Sequence, residues 1–317
     1  GGEPTLIGLS FFKEALRLQR EIAPPQMQIE NVIQTNGTTL TPAWCRFFKE
    51  NRFLVGLSID GPPKLHNAYR HSRDGRERFD QTARAVRLLK QHQIDFNILC
   101  CVHRANQAHP LEVYRFFRDV LGAEFIQFIP ILQRQLDSEG RETDQVSEIS
   151  VESDAYGQFL TAVFDEWVQR DVGRIFVQIF DIALGAYLGL PSSLCVFAET
   201  CGNAMVLEHN GDLYACDHFV DQAHLLGNIT QHPLTDLVNS KSQVQFGLDK
   251  KACVAEACLA CPVWFACHGG CPKNRDENGL NRLCSGYRAF FEHVQPSMET
   301  MADLIRHGRP PAEIMQL

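Results

Sequence analysis

Hydrophobic positions along the first 132 residues recur with two periods in alternation. Phe11, Ala15, Leu18 and Ile22 fall at helical spacing behind Ser10 as a cap, until Pro24-Pro25 stops the run. A strand is predicted from Met27 to Gln34, and Asn36-Gly37 then turns the chain. Thr41 caps the next helix, Pro42 takes its first position, and Trp44, Phe47 and Phe48 form its apolar face. The alternation continues with a strand over Phe53 to Ile59, a helix with Ala83, Val86 and Leu89 on one face, and a strand over Ile94 to Val102. A helix over 107–121 and a strand over Phe125 to Pro130 complete the set. Strands separated by helices of this length predict parallel βαβ units with right-handed crossovers. The polar segments Gln34-Thr35-Asn36 and Ser58-Ile59-Asp60-Gly61, together with Gln127, all fall at C-terminal strand ends, where such sheets bind ligands.

Residues 133–153 are polar and charged and predict a long connection, with a helix over 154–171 behind it. Beyond about residue 190 the periodicity fades into Cys-rich sequence punctuated by Gly and Pro, which predicts one domain over 1–190 and another over 191–317. A chain of 317 residues, 44% hydrophobic, buries a core of that size without disulfides. With 38 acidic against 30 basic residues and a formal net charge of -8, neither nucleic acid nor an anionic membrane is expected as a partner. No apolar run reaches the roughly 20 residues that span a bilayer, and no basic-then-apolar leader opens the chain, so a cytoplasmic location is expected. The start at Gly1-Gly2-Glu3-Pro4, without an initiator Met or a lead-in strand, leads us to expect a preceding segment.

Cysteine is the residue whose distribution changes the picture most. Nine of the 12 lie between Cys195 and Cys284, while Cys45, Cys100 and Cys101 stand apart and suit simple core packing. Without a secretory leader, closely spaced thiols point to metal ligands rather than disulfides. Cys201 and Cys216 flank Asn210-Gly211-Asp212, a predicted type I′ hairpin turn. Cys258-x2-Cys261-x5-Cys267-x3-Cys271 follows, with Cys284 twelve residues later. Counting Cys195, eight of these thiols supply two four-sulfur sites and Cys253 is spare, and the spacing suits zinc or iron–sulfur clusters alike.

Three smaller features carry chemistry. In Gly1-Gly2-Glu3-Pro4 the glycines permit close backbone approach to a ligand, and a carboxylate with exposed carbonyls can hold an ammonium group. Ser58 at a strand end and Arg70 in the next loop can bind a carboxylate, which a guanidinium recognises through two hydrogen bonds. Asp217 follows Cys216 directly and is a candidate base beside a metal site, with His218 and His268 as alternatives for base or ligand.

Taken in order, Gly1-Gly2-Glu3-Pro4-Thr5-Leu6, Gln34-Thr35-Asn36-Gly37-Thr38, Gly56-Leu57-Ser58-Ile59-Asp60-Gly61-Pro62 with His66-Asn67, Phe96-Asn97-Ile98-Leu99-Cys100 and both Cys patterns resemble the anaerobic sulfatase-maturating enzymes. These belong to the radical S-adenosylmethionine superfamily and carry a C-terminal SPASM domain. The resemblance spans nearly the whole chain. It implies an α/β fold: a partial (β/α)6 TIM-like barrel, here without its first strand and cluster loop, followed by a Cys-rich SPASM domain. It further implies that Gly2 holds the amino group of S-adenosylmethionine through its backbone, that Ser58 and Arg70 take the carboxylate, and that Leu132 contacts the adenosine. Cys195, Cys201, Cys216 and Cys271 are implied as ligands of one auxiliary 4Fe-4S cluster, and Cys258, Cys261, Cys267 and Cys284 of the other, an assignment that spacing does not supply.

The implied reaction converts a Cys or Ser of a sulfatase, within a Cys/Ser-x-Pro-x-Arg motif, to Cα-formylglycine under anaerobic conditions, with Asp217 accepting the substrate's thiol or hydroxyl proton. Flavodoxin or ferredoxin is the implied electron donor. The family's Cys-x3-Cys-x2-Cys motif for the radical cluster does not occur in residues 1–317, so that third cluster is expected in the preceding segment, without which the chain is expected not to cleave S-adenosylmethionine. The competing expectations are a SPASM-type maturase of another peptide and a non-catalytic zinc-binding interaction module.

Overall fold

A computed structural model describes residues 2–317. In chain order the elements are α1 (Leu9–Ile22), β1 (Val32–Thr35), α2 (Pro42–Glu50), β2 (Leu54–Ser58), α3 (Pro63–His66), α4 (Phe79–Gln91), β3 (Phe96–Val102), α5 (Pro110–Arg115) and β4 (Phe125–Pro130). They continue with β5 (Arg134–Leu136), β6 (Glu142–Val146), α6 (Ser153–Arg170), β7 (Phe176–Val177), α7 (Gln178–Tyr187), β8 (Val206–Leu207), β9 (Asp212–Tyr214) and β10 (Leu225–Asn228). The last helices are α8 (Leu234–Val238), α9 (Lys241–Ala252), α10 (Glu256–Leu259), α11 (Trp264–Cys267) and α12 (Cys284–Arg306). The chain forms two compact units and passes between them more than once. The first takes the chain up to Gln133 with Glu148–Val151 and Asp165–Ile179; the second takes Arg134–Ser147, Glu152–Phe164 and Phe180–Leu317.

The first unit is built on a five-stranded parallel sheet, ordered β1-β2-β3-β4-β7. One face of its centre is apolar and closed off from water: Val55 and Leu57 in β2, with Ile59 just past it, lie on the same side of the sheet as Ile98, Cys100 and Val102 along β3, and all six are fully buried. Helix α2 follows the expected design, with Thr41 Oγ1 accepting from the Trp44 amide and Trp44, Phe47 and Phe48 buried. Other elements differ from expectation for local reasons. Helix α1 starts at Leu9 with Gly8, at φ 91°, as its cap, so Ser10 lies inside the helix. Strand β1 begins only at Val32, because it is an edge strand whose pairing with β2 starts there, and Met27 and Ile29 remain exposed. The buried face of α4 holds Val86 and Leu89 as expected, with Thr82 and Ala85 beside them, while Ala83 is only half-buried. The helix expected over 107–121 is α5 followed by a π-helical turn over Phe116–Val120.

In the second unit the segment expected as a bare connection carries the antiparallel hairpin β5–β6. Helix α12 supplies the core through Phe290, Phe291, Val294, Met298, Met301 and Ala302, all fully buried, and the Phe180 ring stacks on Phe290 at 5.8 Å. Close approach of α6 and α12 depends on paired glycines: a Cβ on Gly286 would lie 2.0 Å from the Ser153 carbonyl oxygen, and one on Gly157 would lie 2.7 Å from the Gly286 Cα. The three-stranded sheet β10-β9-β8 contains the hairpin expected between Cys201 and Cys216. Its turn is of another type: the Gly211 amide donates to the Glu208 carbonyl, and of Asn210 and Gly211 only Gly211 has positive φ, at 90°. That is a type I turn closed by a glycine bulge, whereas type I′ needs both central residues left-handed. Among the described residues no helix is long and apolar enough to cross a membrane.

Candidate active site and thiol clusters

In the first unit the C-terminal ends of β1 and β2 and the turn at residues 2–4 surround a cavity of about 1030 Å³. Gly2, Ser58 and Arg70 all line it, with Gln34, Thr35 and Asn36 beside them. Gly2 sits at φ 120°, backbone that an L side chain rarely adopts, although a Cβ there would touch nothing. Leu132, just past β4, is half-buried and is not among the residues lining this cavity. Glu3 does not present a free carboxylate: its oxygens accept from the Thr5 amide at 3.1 Å, the Thr35 hydroxyl at 2.6 Å and the Asn36 amide at 2.8 Å. It therefore pins the turn to the end of β1, and an ammonium group there would meet backbone carbonyls.

Arg70 is held by Asp60, a pairing that the sequence did not signal. Arg70 donates from Nε to Asp60 Oδ2 at 2.5 Å and from Nη2 to Oδ1 at 2.9 Å, while the Cys101 amide donates to Oδ1 at 2.9 Å. Asn106 Nδ2 ties the same corner together, donating to the carbonyls of Asp60 at 3.0 Å and Cys101 at 2.9 Å. The fork is thus fixed by two strand ends, with the guanidinium still one quarter exposed at the cavity. Behind it, fully buried His66 accepts from the Asp60 amide at 3.2 Å through Nδ1, and burial, opposed by the Asp60 charge, pulls its pKa down to about 4. Its ring is therefore neutral near pH 7, with the proton on Nε2.

The thiols of the second unit fall into two groups that interleave in sequence. Burial raises the pKa of Cys271 first, and the neighbouring Cys195 and Cys201 thiolates add to it. Burial, the Asp217 carboxylate and the Cys271 thiolate together push Cys216 up to about 12. Burial first, and then the charges of Cys284, Cys258 and Cys261, push Cys267 up to about 12. Cys271 parts from Cys267, four residues before it in the chain, because the intervening His268, Gly269 and Gly270 are all left-handed, at φ 47°, 72° and 62°. Three such residues in succession end α11 and reverse the chain, sending the next thiol elsewhere. Cys258, Cys261, Cys267 and Cys284 together line one cavity of about 320 Å³ with Val263, Trp264 and Leu280 on its walls. Cys284 is the first residue of the 23-residue helix α12, where the helix dipole favours a thiolate.

Among the described residues no three His, Cys, Asp or Glu side chains converge tightly enough to hold a single metal ion. The four thiols of the second group stand around a volume instead, and an all-sulfur donor set about a cavity fits an iron–sulfur cluster. Exposed Cys253 belongs to neither group. Beside the first group Asp217 is exposed and its Oδ1 lies 3.2 Å from Cys216 Sγ, the thiol donating. His218 Nδ1 lies 3.8 Å from Cys271 Sγ. His268 is turned away, its Nδ1 at 2.8 Å from the Phe197 carbonyl.

Comparison with known proteins agrees with this division of chemistry. The profile of the Radical SAM superfamily matches residues 1–117, and that of SPASM, an iron-sulfur cluster-binding domain, matches residues 195–262. A serine-type anaerobic sulfatase-maturating enzyme of Bacteroides thetaiotaomicron is 41% identical over 332 aligned positions, covering 100% of this chain and 80% of the relative. A cysteine-type enzyme of Clostridium perfringens is 34% identical over 313 positions, covering 96% and 83%. The solved structure of native anSMEcpe with bound AdoMet and a Cp18Cys peptide superposes with a TM-score of 0.88 at 34% identity, covering 96% of this chain and 84% of that one.

Proposed function

Because the chain belongs to the anaerobic sulfatase-maturating enzymes, a family of the radical S-adenosylmethionine superfamily, we propose that Asp217 is the base of its reaction. The chain is a radical S-adenosylmethionine enzyme of sulfatase maturation and uses S-adenosylmethionine and iron–sulfur clusters. Residues 1–190 carry the radical part and 191–317 the auxiliary clusters. Gly2 offers its backbone to the methionine amino group, Ser58 and Arg70 take the carboxylate, and Leu132 lies against the adenosine. That three of these four residues share one cavity supports this assignment. Cys195, Cys201, Cys216 and Cys271 hold one auxiliary 4Fe-4S cluster, and Cys258, Cys261, Cys267 and Cys284 the other, a division supported by the mutual influence of the thiols within each group.

When bound, S-adenosylmethionine and a reduced cluster supply the radical chemistry that removes a hydrogen from Cβ of the substrate Cys or Ser. Asp60 holds Nε and Nη2 of Arg70 and so fixes the guanidinium with its remaining N–H groups for the carboxylate, and Asp217 takes the substrate's thiol or hydroxyl proton on a carboxylate oxygen, on the way to Cα-formylglycine. The substrate is a sulfatase peptide with a Cys/Ser-x-Pro-x-Arg motif, flavodoxin or ferredoxin is the electron donor, and the site of action is the cytoplasm. The observation that carries the role of Asp217 is its position: exposed to an incoming peptide and in contact with the thiol of Cys216. In the reconstituted enzyme, Asp217→Asn should leave S-adenosylmethionine cleavage intact while aldehyde formation on such a peptide falls by about 10²- to 10⁴-fold. Equal loss of both activities would make Asp217 a structural residue.

A further inference from the structure

Two cations are buried in the cysteine-bearing unit with no carboxylate beside them among the described residues. Lys250, on α9, is 1% exposed, and its Nζ donates to the carbonyls of Cys195 at 2.6 Å, Val196 at 3.0 Å and Ala198. Arg275 is 6% exposed. Its Nη1 donates to the carbonyls of Lys250 at 2.6 Å and Cys253 at 3.3 Å, its Nε to that of Gly269 at 3.2 Å and its Nη2 to that of Gly270 at 3.5 Å. Arg275 therefore grips the left-handed turn that separates Cys267 from Cys271, and it is joined to Lys250 through the Lys250 carbonyl.

Carbonyl dipoles solvate a buried cation without cancelling its charge, and an uncompensated buried charge is costly. The groups that face these cations and can become negative are thiols. Cys201, Cys195 and Cys271 face Lys250, whereas Cys258, Cys271, Cys253 and Cys201 face Arg275. Lys250 thus addresses one thiol group and Arg275 both. A guanidinium keeps its charge at any working pH, so Arg275 is a permanent positive charge between the two groups.

We propose that Arg275, backed by Lys250, is the shared counter-charge of the two auxiliary clusters and raises their reduction potentials. Each electron taken up adds a negative charge to a site already negative from its thiolates. A cation fixed nearby lowers that cost, and net charge is one of the quantities that set a cluster's potential. The inference rests on the reading that these thiols hold the clusters, and the two are tested separately.

The measurement is an EPR-monitored potentiometric titration of the reconstituted full chain, with iron content determined on the same samples. Arg275→Gln should move the midpoints of both auxiliary signals to more negative potential, with the reduced-to-oxidised ratio at the wild-type midpoint falling about tenfold, equivalent to 59 mV for one electron. Lys250→Gln should move chiefly the signal of the group containing Cys195, and Arg275→Lys, which keeps the charge, should stay near wild type. Unchanged midpoints in Arg275→Gln at full iron content would overturn the proposal and leave Arg275 a structural brace. If Arg275→Gln loses iron, recovery of that iron in Arg275→Lys supports the proposal, and loss in both variants overturns it. Full iron content in Cys258→Ser and Cys271→Ser would instead refute the ligand assignment itself, whatever the midpoints do.

Discussion

In the first unit Arg70 meets Asp60, and Arg118 meets Glu166 at 2.8 Å and Asp171 at 2.9 Å, whereas in the second Lys250 and Arg275 meet only backbone carbonyls and thiols among the described residues. The first arrangement is electrically complete as folded protein. Asp171, fully buried, also accepts from the Tyr114 hydroxyl at 2.7 Å, so its charge is shared within one hydrogen-bonded network. The second arrangement is complete only when its thiols are ionised, which burial opposes and metal binding drives. One unit therefore balances its buried charges with its own side chains, and the other is a housing whose charge balance depends on what it binds.

Removal of iron should break the comparison most visibly. Chelation under reducing conditions should cost the second unit several kcal/mol while leaving the first nearly untouched, because ligand binding by thiolates is coupled to folding. Hydrogen exchange would show it as lost protection across Cys195–Cys284 with protection retained in β2 and β3; uniform loss would mean that the units do not differ in this way. Next in size, Arg70→Met strands the Asp60 carboxylate, 2% exposed, with only the Cys101 amide and other neutral partners, and should cost about 3 kcal/mol in urea denaturation. A cost near zero would show that Asp60 does not depend on its cation.

Acid tests the same corner without mutation. His66 is held neutral, its folded pKa of about 4 lying below the unfolded value of about 6.5. The unfolded chain therefore binds the proton first, so this contribution is intact above pH 6.5 and is lost as pH falls from 6.5 towards 4, about 3 kcal/mol in all. The stability difference between wild type and His66→Gln should carry that slope, and parallel curves would contradict the buried neutral ring. The smallest effect is expected at Cys253, which belongs to neither thiol group: Cys253→Ser should keep about eight iron per chain from two auxiliary clusters, and a loss near half would make it a ligand.

Much of the first unit was legible because its signals are local. Thr41-Pro42 starts α2 and Trp44, Phe47 and Phe48 face its core, since capping and helical periodicity depend on residues within a turn or two. The C-terminal strand ends that carry Ser58 and Asp60 were legible for the same reason. The hairpin β5–β6 was not, because alternation in so polar a segment gives no apolar face to detect. Lys250 and Arg275 read in sequence as ordinary surface cations, for nothing near them along the chain announces burial.

By itself the sequence determined the alternating elements, the number of thiols and the strand ends where chemistry gathers, all properties of short-range spacing. Only the tertiary structure decided which thiols lie near one another, which carboxylate holds Arg70, and where two cations are buried among backbone carbonyls with no carboxylate beside them among the described residues. Those outcomes join residues ten to eighty positions apart, among them Cys195 with Cys271 and Arg70 with Asp60. They follow from backbone turns such as the left-handed run at His268–Gly270, whose effect on direction no spacing rule records.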